Sequence, residues 1–281
     1  MSTGIVFKPV NGAHAVVETV FFFEFAAQIL PDEVIQEHLA VAYADALACV
    51  EKAGSIELSF DAATQESSQR EIFTYTFSNG SDEENEALEW AVRITDGMQV
   101  SIHCTAYTRW DAVSKQAFQL LDKLAKHSQS SLELRSLGFK VVDQFRYEPT
   151  EGAYDLRLLC NPSSSYLSRK NFESEDRWHN NSGWFWKHPN GRQILNHLNV
   201  NSSAVSVQHK VPHTYVTIDH VQVLRREDDG DILLDPYDAD QFSRVANDFF
   251  EPLHEQNKLV INDLLTEEAC RRLSLVVGGK Q

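Results

Sequence analysis

The sequence predicts an α+β fold, mainly antiparallel sheet with amphipathic helices packed on one face. Three observations carry that expectation. Leu88, Trp90, Val92 and Ile94 alternate with Glu89, Ala91, Arg93 and Thr95, the period-two pattern of a half-buried strand. Asp96-Gly97 follows at once, a strong hairpin signal because both residues tolerate positive φ, and Val100–Tyr107 alternates again. Val113, Ala117, Leu120, Leu121 and Leu124 then recur at helical spacing behind Asp111, read as the N-cap, and Leu137–Tyr147 returns as a strand. A sheet with a helix on one face is the natural home for such a unit.

The other elements follow in order. Val16–Phe25 is apolar on both sides, as a strand covered on both faces would be. Pro31, Asp32 and Glu33 open a predicted helix. Its stripe is Ile35, Leu39, Ala42, Tyr43, Ala46, Leu47 and Val50, and Gly54 is its stop. Ile56, Leu58 and Phe60 form a short strand. A polar loop over Gln65–Arg70 leads to a strand with Phe73, Tyr75 and Phe77, so these strands form a meander with the hairpin. Tyr154–Leu159 reads as a strand and Asn161–Asn190 as a long loop carrying Trp178, Trp184 and Trp186. Ile194–Val200, Ala204–Gln208 and Tyr215–Leu224 read as strands. Phe242, Val245, Ala246, Phe249, Phe250 and Leu253 mark an amphipathic helix that Pro252 should kink or end. Thr266 caps a last helix. The chain divides on this reading into an N-terminal half, 1–150, and a C-terminal half, 151–281, with the aromatic, His-rich loop and two terminal helices, packed as one unit.

Composition narrows the function classes. The 281 residues are 42% hydrophobic, enough for a large core, and the formal net charge is −16. Acidic residues outnumber basic ones in both halves, which disfavours a phosphate-backbone partner. Four scattered cysteines without a CxxC pattern suit free thiols, and the N-terminus lacks the pattern of a secretion signal, so a cytoplasmic location is expected with no membrane partner. Glycine-rich phosphate loops, a GxSxG elbow and HExxH are absent.

Three groups of residues remain as candidate sites. Six of the eleven histidines fall between His179 and His220: His179, His188, His197, His209, His213 and His220. With Asp219 or Asp235 they offer the ligand types of a divalent metal, although no pair has a tight zinc spacing and hydrogen-bonded or surface histidines are the plainer reading. Arg109 before a helix N-terminus suits an anion, or a structural tie to a carboxylate or Trp110. Trp178, Trp184 and Trp186 with Arg177, Lys187 and Arg192 have interface composition, or form a loop folded back over the sheet. The acidic stretch Asp228–Asp231 lacks the ligand alternation of a calcium loop.

Four stretches resemble a sporadically distributed, uncharacterised family of bacterial and archaeal proteins of similar length. They are Ala15–Val20 with Phe21–Phe25, Thr108-Arg109-Trp110, Leu137–Phe145, and Leu253-His254-Glu255 with Leu264-Leu265-Thr266-Glu267-Glu268. Lys140 and Val141-Val142-Asp143 stand where that family has Arg-Tyr-Ile-Asn. The resemblance implies one α+β architecture and the patchy distribution of accessory genes in defence or mobile-element systems. It supplies no reaction, cofactor or site residue. The function expected is therefore a non-enzymatic accessory component that binds a protein partner or itself. The alternative is a metal-assisted hydrolase or nuclease using the segment 179–220.

Overall fold

The computed structural model describes residues 6–12, 14–61, 66–79, 89–128, 132–148, 154–205, 213–225 and 239–275. It is an α+β fold around one antiparallel sheet of ten strands. These are β1 (Phe7–Pro9), β2 (Val16–Phe25), β3 (Cys49–Asp61), β4 (Glu66–Ser78), β5 (Trp90–Thr95), β6 (Gln99–Cys104), β7 (Leu134–Tyr147), β8 (Trp178–Lys187), β9 (Gln193–Val205) and β10 (His213–Arg225). Their order is β3-β4-β5-β6-β2-β7-β10-β9-β8, with β1 on β7. The apolar β2 lies in the middle of this order, as its two-sided composition requires.

Two compact units divide the chain, one of Met1–Thr19, Phe139–Leu224 and Asp248–Gln281, the other of Val20–Gly138 and Arg225–Asn247. These units are not continuous halves of the chain: β2, β7, β10 and α5 each run through both.

The second unit holds the predicted meander β3-β4-β5-β6. Asp96 (φ 57°) and Gly97 (φ 63°) make the type I′ turn, closed by the Met98 N–H on Thr95 O at 3.1 Å. Helix α3 (Trp110–Ala125) buries Val113, Ala117, Leu120, Leu121 and Leu124 as the spacing predicts. Phe21 of β2 stacks on Trp110 and meets Phe118 edge-on. The N-cap is extended Arg109 rather than Asp111. Asp111 instead lies in the first turn, where its charge suits the positive end of the helix dipole. The helix expected up to Val50 also ends early. It runs through α1 (Asp32–Val34), a π-helical turn (Ile35–Leu39) and α2 (Ala40–Tyr43), and is closed by the Leu47 N–H on Tyr43 O. Val50 and Gly54 belong to β3, and Gln65–Arg70 is not a loop, since β4 begins at Glu66.

In the first unit, Tyr154–Leu159 is not a strand. Leu156 and Leu159 are buried three residues apart, a helical spacing, and Leu156–Leu158 forms a 3-10 turn whose Asp155 carboxylate accepts from the Arg157 N–H. The long loop over Asn161–Asn190 is also overturned: it contains α4 (Arg169–Glu173), with a Ser168–Asn171 capping box, and β8. β9 replaces the two strands expected around Val200 and Ala204. Helix α5 (Ala239–Leu264) continues through Pro252, and α6 (Glu267–Arg272) starts at Thr266, whose hydroxyl accepts from the Ala269 N–H. Phe145, Leu198, Val200, Val216 and Ile218 pack with Val260, Ile261 and Leu264 in this unit's core.

Candidate functional site

Strand β3 ends the sheet order and pairs with β4 without a break from Cys49↔Ser78 to Asp61↔Glu66. At the base of this ribbon, Lys52 and Gly54 lie across from Tyr75 and Phe73. The Lys52 ammonium sits 3.8 Å from the Phe73 ring centre, and the Gln36 amide reaches the Tyr75 hydroxyl at 2.8 Å. A Cβ at Gly54 would meet the Phe73 ring at 3.5 Å, ordinary contact.

Farther along the same face come Ile56, Leu58 and Phe60, which are 62, 77 and 68% exposed. Their cross-strand neighbours Glu71, Gln69 and Ser67 are also exposed and add no apolar cover. Three large apolar side chains thus stand in a row on an edge strand. Scattered apolar residues are normal on a surface, but a contiguous row on an edge is not. The strand also lacks proline and any bulge, two usual guards of an exposed edge. Of the described residues, these form the most interface-like surface.

The chain matches no protein-family model, curated protein or solved structure.

The residues singled out in the sequence are placed elsewhere and divide into three environments. Trp178, Trp184 and Trp186 point to the covered face of β8. Trp178 is buried in the core, and Trp184 stacks on His220 (5.8 Å) with Tyr166 tilted against it (4.8 Å). The aromatic ring of this strand that faces solvent is Phe185. Arg177 is exposed and Arg192 is half-buried, as Trp184 and Trp186 are.

His188 and His220 lie with Gln222 in a buried polar seam against α5. The His188 Nε2–H donates to Phe249 O at 3.2 Å while its Nδ1 accepts from the Asn190 N–H. Gln222 Nε2 donates to Leu253 O at 2.7 Å. The His220 ring sits 2.8 Å from the Asn257 side-chain amide and 3.0 Å from that of Asn196. Residues 249, 253 and 257 are spaced four apart and so form one stripe of the helix. Burial lowers the pKa of His188 and pushes that of His220 down to about 4, so both rings are neutral at pH 7. Both ring nitrogens of His220 face side-chain oxygens, Asn257 Oδ1 and Asn196 Oδ1, so the neutral ring donates to one of them and leaves its other nitrogen without a donor. Pro252 takes one donor out of the helix ladder, and His188 and Gln222 supply donors to carbonyls on either side of it. Ser182 Oγ, Trp186 Nε1 and Gln222 Oε1 are buried without a protein partner. Ser182 and Trp186 stand four residues apart on β8, about 13 Å along the strand, too far to share one small ligand.

His179 and His197 lie exposed on the opposite face, and His213 is exposed at the start of β10. Asp219 faces Lys140, with Oδ2 3.3 Å from Nζ, and Lys140 also lies 3.9 Å from Glu18. His209, Asp235 and the acidic stretch Asp228–Asp231 fall outside the described residues. Among the described residues no three His, Cys, Asp or Glu side chains come together as metal ligands would. Arg109 is exposed at the α3 cap, with its backbone carbonyl accepting from Ala112 and Val113. No described helix is long and apolar enough to cross a membrane.

Sequence reasoning found Ile56, Leu58 and Phe60 as a strand and missed them as a surface. The available signal was their partner strand: Ser67, Gln69 and Glu71 offer no apolar row to pair with them.

Proposed function

We propose that the protein is a non-enzymatic binding component that engages a protein chain through the apolar face of β3, the end strand of the sheet among the described residues. The observation that carries this reading is the exposed row Ile56, Leu58 and Phe60. An edge strand can add a strand from another chain, with backbone hydrogen bonds supplying affinity and alternate side chains supplying specificity. Burying three such side chains contributes roughly 5–8 kcal/mol gross. Association costs about 4–15 kcal/mol in lost freedom, so the edge hydrogen bonds are needed and the complex is expected to be weak. An accessory role in a prokaryotic defence or mobile-element setting rests on the family resemblance.

Site-specific photo-crosslinking in cells tests the reading. A crosslinking residue at Leu58 should trap a protein chain in high yield. The same residue at Leu158, an isolated exposed leucine of the first unit, should trap little. Equal yields at the two positions would overturn the proposal.

A further inference from the structure

We infer that the chain taken up by β3 is a second copy of the same protein, paired antiparallel across a twofold axis at Leu58; this rests on the binding role proposed for that strand. Homodimers with one twofold axis are the commonest assemblies, and their contact must be self-complementary. In an antiparallel pair, opposite residues share a face, so the axis can pass only through registers that keep like faces together.

The register centred on Leu58 sets Leu58 against its twin and each Ile56 against Phe60 of the other copy. Six apolar side chains then form one stripe in the middle of four strands, β4-β3-β3-β4, flanked by Gln69, Ser67 and Glu71. Moving the centre to Glu57 sets that carboxylate against itself, which is destabilising. Moving it to Ile56 sets Leu58 against Gly54 and Lys52 against Phe60, losing both apolar pairs. Charge agrees with the central register. Between Gly54 and Phe60 the one charged residue is Glu57, which this register sets diagonally from its twin on the other face, and Glu71 borders the stripe at its outer edge, so local repulsion is weaker than in the register centred on Glu57.

The full chain is studied by sedimentation across a dilution series, with spin labels on Gln69→Cys, Glu71→Cys and Ser67→Cys in a Cys49→Ser background. Cys104, Cys160 and Cys270 are buried and Cys49 is not. The expected result is a weak, reversible dimer. Residues 69 of the two copies are three strand spacings apart, about 14 Å, whereas the two residues 71, displaced along the strand, are about 19 Å apart. The label pair at 69 should therefore be the closest of the three. Leu58→Thr and Phe60→Thr should each raise the dimer dissociation constant at least about tenfold. At protein concentrations well below the dissociation constant they should leave the melting temperature unchanged, because both side chains are exposed in the monomer. A monomer at every concentration overturns the inference, and so does a dimer in which residues 69 are not the closest pair. In either case a crosslink from position 58 to a different protein would keep the broader reading alive, while the absence of any crosslink there would overturn both.

Discussion

Asp143 lies buried on β7, on the same side of the strand as Phe139 and Phe145, and burial pushes its carboxyl up from the ordinary 3.8 to about 7. Between those values the folded chain holds a proton that the unfolded chain releases. The cost of burying Asp143 is therefore absent below pH 3.8, grows as pH rises, and is complete above about 7, where it amounts to roughly 4 kcal/mol. His220 acts in the opposite sense. Its folded value of about 4 lies below the ordinary 6.5, so its cost appears as pH falls from 6.5 and is complete below about 4. Across the shared window the two slopes offset one another. Asp143→Asn should thus gain stability over the wild type by about 1.4 kcal/mol for each pH unit between 3.8 and 7, then level off. Urea unfolding of both proteins at pH 4, 6 and 8 measures this. A difference that stays constant with pH would show that the Asp143 carboxyl titrates normally in the fold.

The elements that were legible in the sequence are those whose signal is local. The β5–β6 hairpin was readable because Asp96-Gly97 imposes its own backbone, and α3 because five apolar residues repeat at one spacing. The turn also touches the rest of its unit: Gly97 O accepts from the Ile29 N–H at 2.9 Å, and a Cβ at Gly97 would stand 2.1 Å from Leu30 O. Gly97→Ala should therefore cost more than the roughly 1 kcal/mol of a strained φ alone, and we expect at least about 3 kcal/mol. Gly12→Ala is the control, with φ +68° and nothing within 4 Å of the added Cβ. Thermal unfolding of the two variants separates backbone strain from collision, and equal losses would remove the collision argument. Elements that escaped the sequence reading lack such local signals. Val50 fits a helical stripe and a strand equally well, so the helix was extended too far. On β8 the inward positions 178, 180, 182, 184 and 186 mix Trp with Asn and Ser, so polarity does not alternate although exposure does. The polar start of β4 looked like a loop because neither of its faces is covered.

At the scale of the whole molecule, the division into units was hidden because the chain crosses between them inside β2, β7, β10 and α5, leaving no composition break to mark a boundary. The bare face of β3 was hidden for a related reason: alternation shows which side of a strand is apolar, but what covers that side depends on distant parts of the chain. The proposed dimer also feels the charge of the entire protein. Each copy carries −16, so long-range repulsion opposes association, while the central contact is apolar. Salt shortens the reach of that repulsion, from a Debye length of about 30 Å at 0.01 M to about 8 Å at 0.15 M, and leaves apolar burial and backbone pairing nearly untouched. Self-association through β3 should consequently tighten as sodium chloride is raised from low to physiological concentration, with most of the change complete by that point. Sedimentation equilibrium at matched protein concentrations reads the effect directly. A dimer that weakens over the same range would be held by ion pairs, and an interface centred on Ile56, Leu58 and Phe60 could not be the one that holds it.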